Sequence, residues 1–145
     1  MDAELKPLAP FERVITQHVA FRDTDMMGHV NHAVYATWME SARVFWFARH
    51  MGNEAFAEMP FVMGDLYARY IKPVYFGQNI ESWVAPGPIG RRSFKLAYEI
   101  KVVETGEVAA TGWSTLVMFN AGTGTTFDVP DTYRAMVARL AGEQS

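Results

Sequence analysis

The stretch FRDTDMMGHVNHAVYATWMESARVFWF, from Phe21 to Phe47, decides how the rest of the chain is read. Its first half gathers Asp23, Asp25, Gly28, His29, Asn31 and His32. Its second half is apolar at helical spacing: Val34, Trp38, Ala42 and Phe45 recur at intervals of three or four. No Gly or Pro falls between His32 and Met51, so the pattern predicts a helix over 32–51. Asn31 is a good N-cap, because its side-chain oxygen can accept from the N–H of Ala33 or Val34. Gly52 stands where a C-capping glycine is expected. At roughly 1.5 Å of rise per residue the helix is about 28 Å long. Trp46 and Phe47 widen the apolar stripe, so the helix is expected to be covered on most sides. A cluster of polar residues at the foot of a buried helix calls for a use.

The composition excludes several uses. A chain of 145 residues fits one domain and can bury a core without a staple. Half of it is apolar and 14% is aromatic, which rules out a disordered chain. It has no cysteine, so a disulfide scaffold, a thiolate metal site and a cysteine nucleophile are all excluded. The start, MDAELKPLAP, lacks the basic head and apolar run of a signal peptide. No apolar stretch reaches the ~20 residues that span a bilayer. A cytoplasmic protein with no membrane partner is expected. The net charge of −3, with acids and bases interspersed, argues against a grip on nucleic acid.

Around the opening stretch the chain has a readable order. Residues 1–10 read as an N-terminal arm, 11–141 as a single domain and 142–145 as a tail. Over Glu12–Arg22, Ile15, Val19 and Phe21 share a strand face with Gln17 between them. After the helix, FVMGDLYARYIKPV (Phe61–Val74) and QNIESWVA (Gln78–Ala85) read as strands. APGPIG (Ala85–Gly90) is a turn or bulge cluster. From Phe94 to Val102 the alternation is clean, with Phe94, Leu96, Tyr98, Ile100 and Val102 on one face. ETGE (Glu104–Glu107) is a hairpin turn, and Val108–Phe119 is small or apolar on both faces, as a central strand should be. AGTGT (Ala121–Thr125) is a loop, and Pro130–Leu140 a short closing helix. One long helix against a mainly antiparallel five-stranded sheet is an α+β architecture.

That order and the opening stretch together resemble the hotdog-fold acyl-CoA thioesterases of the 4-hydroxybenzoyl-CoA thioesterase-like family. The likeness runs from about Arg13 to Leu140. Its most specific part is FRDTDMMGHVNHAVYATWMESAR, similar to the family's D-x-D-x-x-G…Y…E-x-x-R pattern; YIKPVYFGQNI (Tyr70–Ile80) and RRSFKLAYEI (Arg91–Ile100) support it. The resemblance implies a sheet wrapped around the long helix, a homodimer or homotetramer, and hydrolysis of an acyl-CoA or acyl-carrier-protein thioester without a cofactor. HVNHAVY after the glycine differs from the Tyr-Pro-rich segment of the aromatic-acyl members, so an aliphatic acyl group is expected over hydroxybenzoyl.

The residues themselves supply such chemistry. Thioester hydrolysis needs a base or nucleophile, a site for the oxyanion and an apolar slot. Asp25 can attack the carbonyl or deprotonate a water. The helix start offers N–H groups without intrahelical partners, and its dipole favours negative charge. With Asn31 capping one of them, the N–H of His32 is a candidate to polarise the carbonyl, a role the resemblance also gives it. Gly28 lets the backbone turn sharply and approach a ligand, and it is counted with the substrate-binding residues. Asn31 and Tyr35 are counted with the substrate-binding residues, and Trp38 and Met39 are candidate walls of the slot. A plainer reading stands beside this one, since Asp23 and Asp25 can simply be turn formers. Asp23 is expected to hold the loop, through Arg22 or Arg43.

His29 and His32 do not share a helical face and no acidic cluster joins them, so no metal site is expected. Arg91, Arg92, Ser93 and Lys95 read either as a solvated strand edge or as a clamp for coenzyme A phosphates. The match of RRSF to the family points to the clamp. A non-catalytic module that binds or senses acyl thioesters in the same pocket is the alternative to an enzyme. A hydratase, which would pair an acid with a histidine across the pocket, is a weaker one.

Overall fold

The computed structural model describes residues 5–57 and 59–142. The elements in chain order are β1 (Glu12–His18), α1 (His32–Ala57), β2 (Phe61–Tyr70), β3 (Asn79–Ile89), β4 (Ser93–Val102), β5 (Val108–Asn120), β6 (Thr125–Thr126) and α2 (Asp131–Gly142). The five long strands form one antiparallel sheet in the order β1-β3-β4-β5-β2, and β6 pairs with the end of β5. The expected α+β class and the helix-against-sheet arrangement hold.

Packing explains why this order forms. One face of β4 carries Phe94, Leu96, Tyr98, Ile100 and Val102, all buried; Phe94 meets Phe47 of α1, and the Tyr98 hydroxyl accepts from Arg43 of α1 at 3.4 Å. The helix answers with Tyr35, Trp38, Met39, Ala42, Trp46 and Phe47, also buried. Phe47, Phe61, Phe94 and Tyr133 meet ring to ring, which joins α1, β2, β4 and α2 at one end of the core. Helix and sheet pack tightly at Gly112 on β5, where a Cβ would lie 2.9 Å from Met39 Cε and 2.5 Å from the Tyr67 carbonyl.

Several boundaries differ from the sequence reading. β1 ends at His18, and Phe21–Asp23 is a 3-10 turn, because Asp23 Oδ2 draws back the N–H of Ala20 at 2.9 Å. Gly52, at φ 72° and ψ 164°, interrupts the long helix where a capping glycine is expected, and a second helical stretch follows it to Ala57. β2 stops at Tyr70, before Pro73. β3 continues through Pro86 to Ile89 with its register shifted between those residues, so the Pro-Gly cluster is a bulge within a strand. AGTGT is the tip of a hairpin whose return strand, β6, makes the sheet six-stranded. The arm lies along β3, with the Leu8 N–H on the Pro86 carbonyl at 2.8 Å. The arm's first four residues and the tail from 143 lie outside the described residues.

Gly112→Ala should destabilise the fold by about 1–3 kcal/mol, because the methyl has nowhere to go between backbone and Met39. A thermal melt checks this, and a melting temperature equal to the parent's would show that the helix-to-sheet contact is looser than the geometry says.

Candidate active site

The loop between β1 and α1 is tied by its own backbone. The Asp25 N–H donates to the His29 carbonyl at 2.9 Å, and the Gly28 N–H to the Asp25 carbonyl at 3.0 Å. That closed turn needs Gly28 at φ +85°, a conformation that penalises a Cβ. The Val30 N–H reaches the Val74 carbonyl at 2.7 Å, anchoring the loop to the segment after β2. The Asn31 N–H donates to the Asp23 carbonyl at 2.8 Å. Asp23 therefore holds the loop through backbone groups rather than through an arginine.

Asn31 caps α1 as expected: its Oδ1 accepts from the Ala33 N–H at 2.9 Å and its carbonyl from the Val34 N–H at 3.0 Å. The N–H of His32, which neither Asn31 oxygen takes, opens the first turn. The His32 carbonyl accepts from Tyr70 Oη at 3.1 Å, which fixes the helix start to the end of β2.

Asp25, His29, Val30, His32 and Tyr35 line one cavity of about 370 Å³, closed on its other side by Tyr70, Ile71, Lys72 and Pro73. The size is that of a small-ligand site. The Asp25 side chain is 32% exposed; its Oδ1 accepts from the Met27 N–H at 2.8 Å, and His29 Nδ1 stands 3.9 Å from the same oxygen. That separation is too long for a hydrogen bond. Tyr35 sits edge-on to both Trp38 and Tyr70 at 5.1 Å. Burial, with a smaller contribution from Tyr70, pushes its hydroxyl up to about 12, so it stays protonated at neutral pH. Lys72 is ion-paired with Glu107.

Of the residues expected to form a site, the structure brings together Asp25, His32 and Tyr35. Gly28 and Asn31 shape the loop without lining the cavity. Trp38 and Met39 lie in the core instead, Trp38 behind Tyr35 and Met39 against Gly112. Arg91, Arg92 and Ser93 stand at the other end of the sheet. Ser93 pairs with Val117, next to the start of β2, whereas Tyr70 pairs with Ala110, next to Ile100. Seven residues of strand separate the two levels, roughly 24 Å at strand rise. There Arg91 Nε and Arg92 Nε both reach Asp128 Oδ1 at 3.2 Å, and Arg92 also donates to Thr126 Oγ1 at 2.9 Å. The Arg92 contact is the main cause that holds the Asp128 carboxyl below its usual range. The sequence reading places no site residue in the wall from Tyr70 to Pro73; Pro73, which follows the strand end, is its only local sign.

Among the described residues no group of three or more His, Cys, Asp or Glu side chains is placed to hold a metal. No described helix is long and apolar enough to cross a membrane.

A long helix wrapped by an antiparallel sheet, with a carboxylate beside the helix N-terminus, defines the class of hotdog-fold thioesterases. The chain belongs to the thioesterase-like superfamily, whose family model matches residues 19–137. It is similar to a thioesterase from Thermus thermophilus, solved in complex with coenzyme A and Zn. The two are 30% identical over 88% of this chain and 92% of that one, with a TM-score of 0.78. A predicted thioesterase from Bacillus stearothermophilus is 26% identical over 86% and 92% of the two chains, at 0.77. PA2801, a putative thioesterase from Pseudomonas aeruginosa, is 27% identical over 87% and 99%, at 0.75. Among curated proteins none matches.

Asn31→Ala should cost about 1 kcal/mol of stability through the lost cap. It should also loosen the first turn of α1. Hydrogen exchange at Ala33 and Val34 is the direct measurement; unchanged protection there would show that the cap does not set the turn.

Proposed function

We propose that the protein hydrolyses an acyl-CoA thioester to a carboxylic acid and free coenzyme A. The observation that carries this is that Asp25 and the open first turn of α1 line the same cavity. The thioester carbonyl oxygen accepts from the His32 N–H, in the positive end of the helix dipole. One oxygen of Asp25 is held by the Met27 N–H, which leaves the other for chemistry. It takes a proton from an attacking water or itself adds to the carbonyl. The tetrahedral oxyanion then collapses, the carbon–sulfur bond breaks, and the thiolate leaves and picks up a proton. By the water route the acid forms directly; by the other route water cleaves the mixed anhydride that results. The His32 ring, edge-on to Tyr70, borders the reacting centre. Tyr35 and Val30 give the acyl group an apolar wall, and an aliphatic chain suits it. A coenzyme A thioester substrate and a chain free of cysteine both fit a cytoplasmic setting.

Asp25→Asn should lower kcat by about 10²–10⁴-fold, the usual contribution of a positioned base, with the fold intact. Thiol release from an acyl-CoA series reads this out. Turnover near the parent level in a folded Asp25→Asn sample would refute the mechanism. Tight acyl-CoA binding by the parent without any turnover would favour the binding-module alternative.

The second part of the proposal is a two-fold dimer, which can associate further to a tetramer. β2 is an edge strand, and Val62, Met63, Leu66 and Tyr70 on it are exposed. A free edge of that length invites pairing. Pairing β2 with its copy in antiparallel register sets the Phe61 end of one strand beside the Tyr70 end of the other. Arg91, Arg92 and Ser93 of one copy then approach the Asp25 cavity of the other, where the arginines can take a coenzyme A phosphate. Replacing Arg91 and Arg92 together by Ala should raise KM for acyl-CoA with kcat little altered, the mark of lost uniform binding. The effect should shrink at high salt. Sedimentation showing a fully active monomer would sink the shared site.

A further inference from the structure

A second cavity, of about 390 Å³, opens on the face of the sheet turned away from α1. Phe11, Arg69, Ile71, Glu99, Thr111 and Trp113 are among its walls. It adjoins the Asp25 cavity, because Ile71 lines both. The strand end makes this possible: along β2, Tyr70 points to the helix side and Arg69 to the outer side, and Ile71 follows where the strand stops. A flexible ligand arm can therefore pass around the end of β2 from one cavity to the other.

The chemistry of the outer cavity is specific. Arg69 is exposed and, among the described residues, its guanidinium makes no ion pair or side-chain hydrogen bond, whereas Arg91 and Arg92 share Asp128 and Lys72 holds Glu107. Glu99 has Lys101 at 3.8 Å, so Arg69 is the unmatched charge. Trp113 is a rigid wall, stacked on Tyr67 at 5.7 Å and 13° with Lys95 Nζ 4.2 Å from its centroid. Phe11 adds a second aromatic surface. Aromatic walls, a guanidinium for a phosphate, and an acceptor-only carboxylate that suits an exocyclic amine describe a site for an adenine nucleotide.

We propose that this outer groove seats the adenosine end of the coenzyme A thioester, with Arg69 on a phosphate and Glu99 accepting from the adenine amine. This rests on the acyl-CoA reading above and extends it. Coenzyme A carries phosphate in two places, on the diphosphate and on the ribose, so Arg69 and the Arg91–Arg92 pair serve different groups.

The test is calorimetric titration of the full chain with adenosine 3′,5′-bisphosphate. The parent should bind it. Arg69→Ala, an exposed position whose loss leaves the core untouched, should weaken binding by at least about tenfold, the weight of one hydrogen bond to a charged group. The inosine analogue, which puts a carbonyl oxygen against Glu99, should also bind at least about tenfold more weakly to the parent. In hydrolysis, Arg69→Ala should raise the ratio of KM for acyl-CoA to KM for acyl-pantetheine by a similar factor. Equal bisphosphate affinity in the parent and Arg69→Ala overturns the proposal. So does a loss of that affinity in Arg91→Ala/Arg92→Ala with none in Arg69→Ala. Arg69-dependent bisphosphate binding in a protein that hydrolyses no acyl-CoA supports the groove and overturns the hydrolase reading instead.

Discussion

The carboxamide of Asn31 determines where α1 begins, and the geometry of the site follows from that. Its oxygen takes the Ala33 N–H, the Asn31 backbone N–H is taken by the Asp23 carbonyl, and the Asp23 carboxylate holds the Ala20 N–H. These bonds wind the loop back under the helix so that Asp25 and His32 reach one cavity. A helix starting one residue earlier or later would turn its first N–H groups by about 100° and aim them elsewhere. The partial charge at a helix N-terminus, about half a unit, acts only within the first turn, so this placement cannot drift. Tyr70 reinforces it from outside by donating to the His32 carbonyl.

A cavity can hold several groups that move protons, and here most of them are committed. Burial raises the Tyr35 hydroxyl still further above neutral pH, so it is no base there. The Tyr70 hydroxyl donates to a backbone carbonyl, and Lys72 is held by Glu107. His29 stands 3.9 Å from Asp25 Oδ1, too far to form a carboxylate–imidazole dyad, and it lies on the same loop instead of facing Asp25 across the cavity. Asp25 is left with one oxygen pinned and one available.

Local chemistry is legible in the sequence, and distant assembly is not. The cap at Asn31, the inward face of β4 and the turn at Gly28 each depend on residues within a few positions, and each can be read directly. β1 reads too long because Val19 and Phe21 keep its period; a carboxylate at Asp23 overrides that period with a 3-10 turn. The Pro-Gly cluster from Ala85 to Gly90 looks like a stop, yet a bulge lets the strand absorb it. The far wall of the cavity comes from Tyr70–Pro73, nearly forty positions beyond the helix start it faces, on a strand paired to β5. No pattern confined to one segment encodes that strand order. The Arg91–Arg92 pair shows the same limit, since its chemistry is readable but its position at the opposite end of the sheet is not.

The strand order also divides labour between the two faces of the sheet. The inner face meets α1 and is filled by large apolar side chains, and a cavity opens where the helix begins and the strand ends. The outer face is bounded by paired charges and by aromatic rings braced against one another or under lysines, as at Tyr67–Trp113 and Lys101–Trp83. Such a surface is rigid and polar enough to stay in water, yet flat enough to receive a ring. A substrate with an apolar end and a charged, aromatic end needs both kinds of surface within the length of one arm. A residue just past the end of a strand borders both faces of the sheet. Ile71 occupies that point, and for this reason the two cavities meet there and nowhere deeper in the sheet.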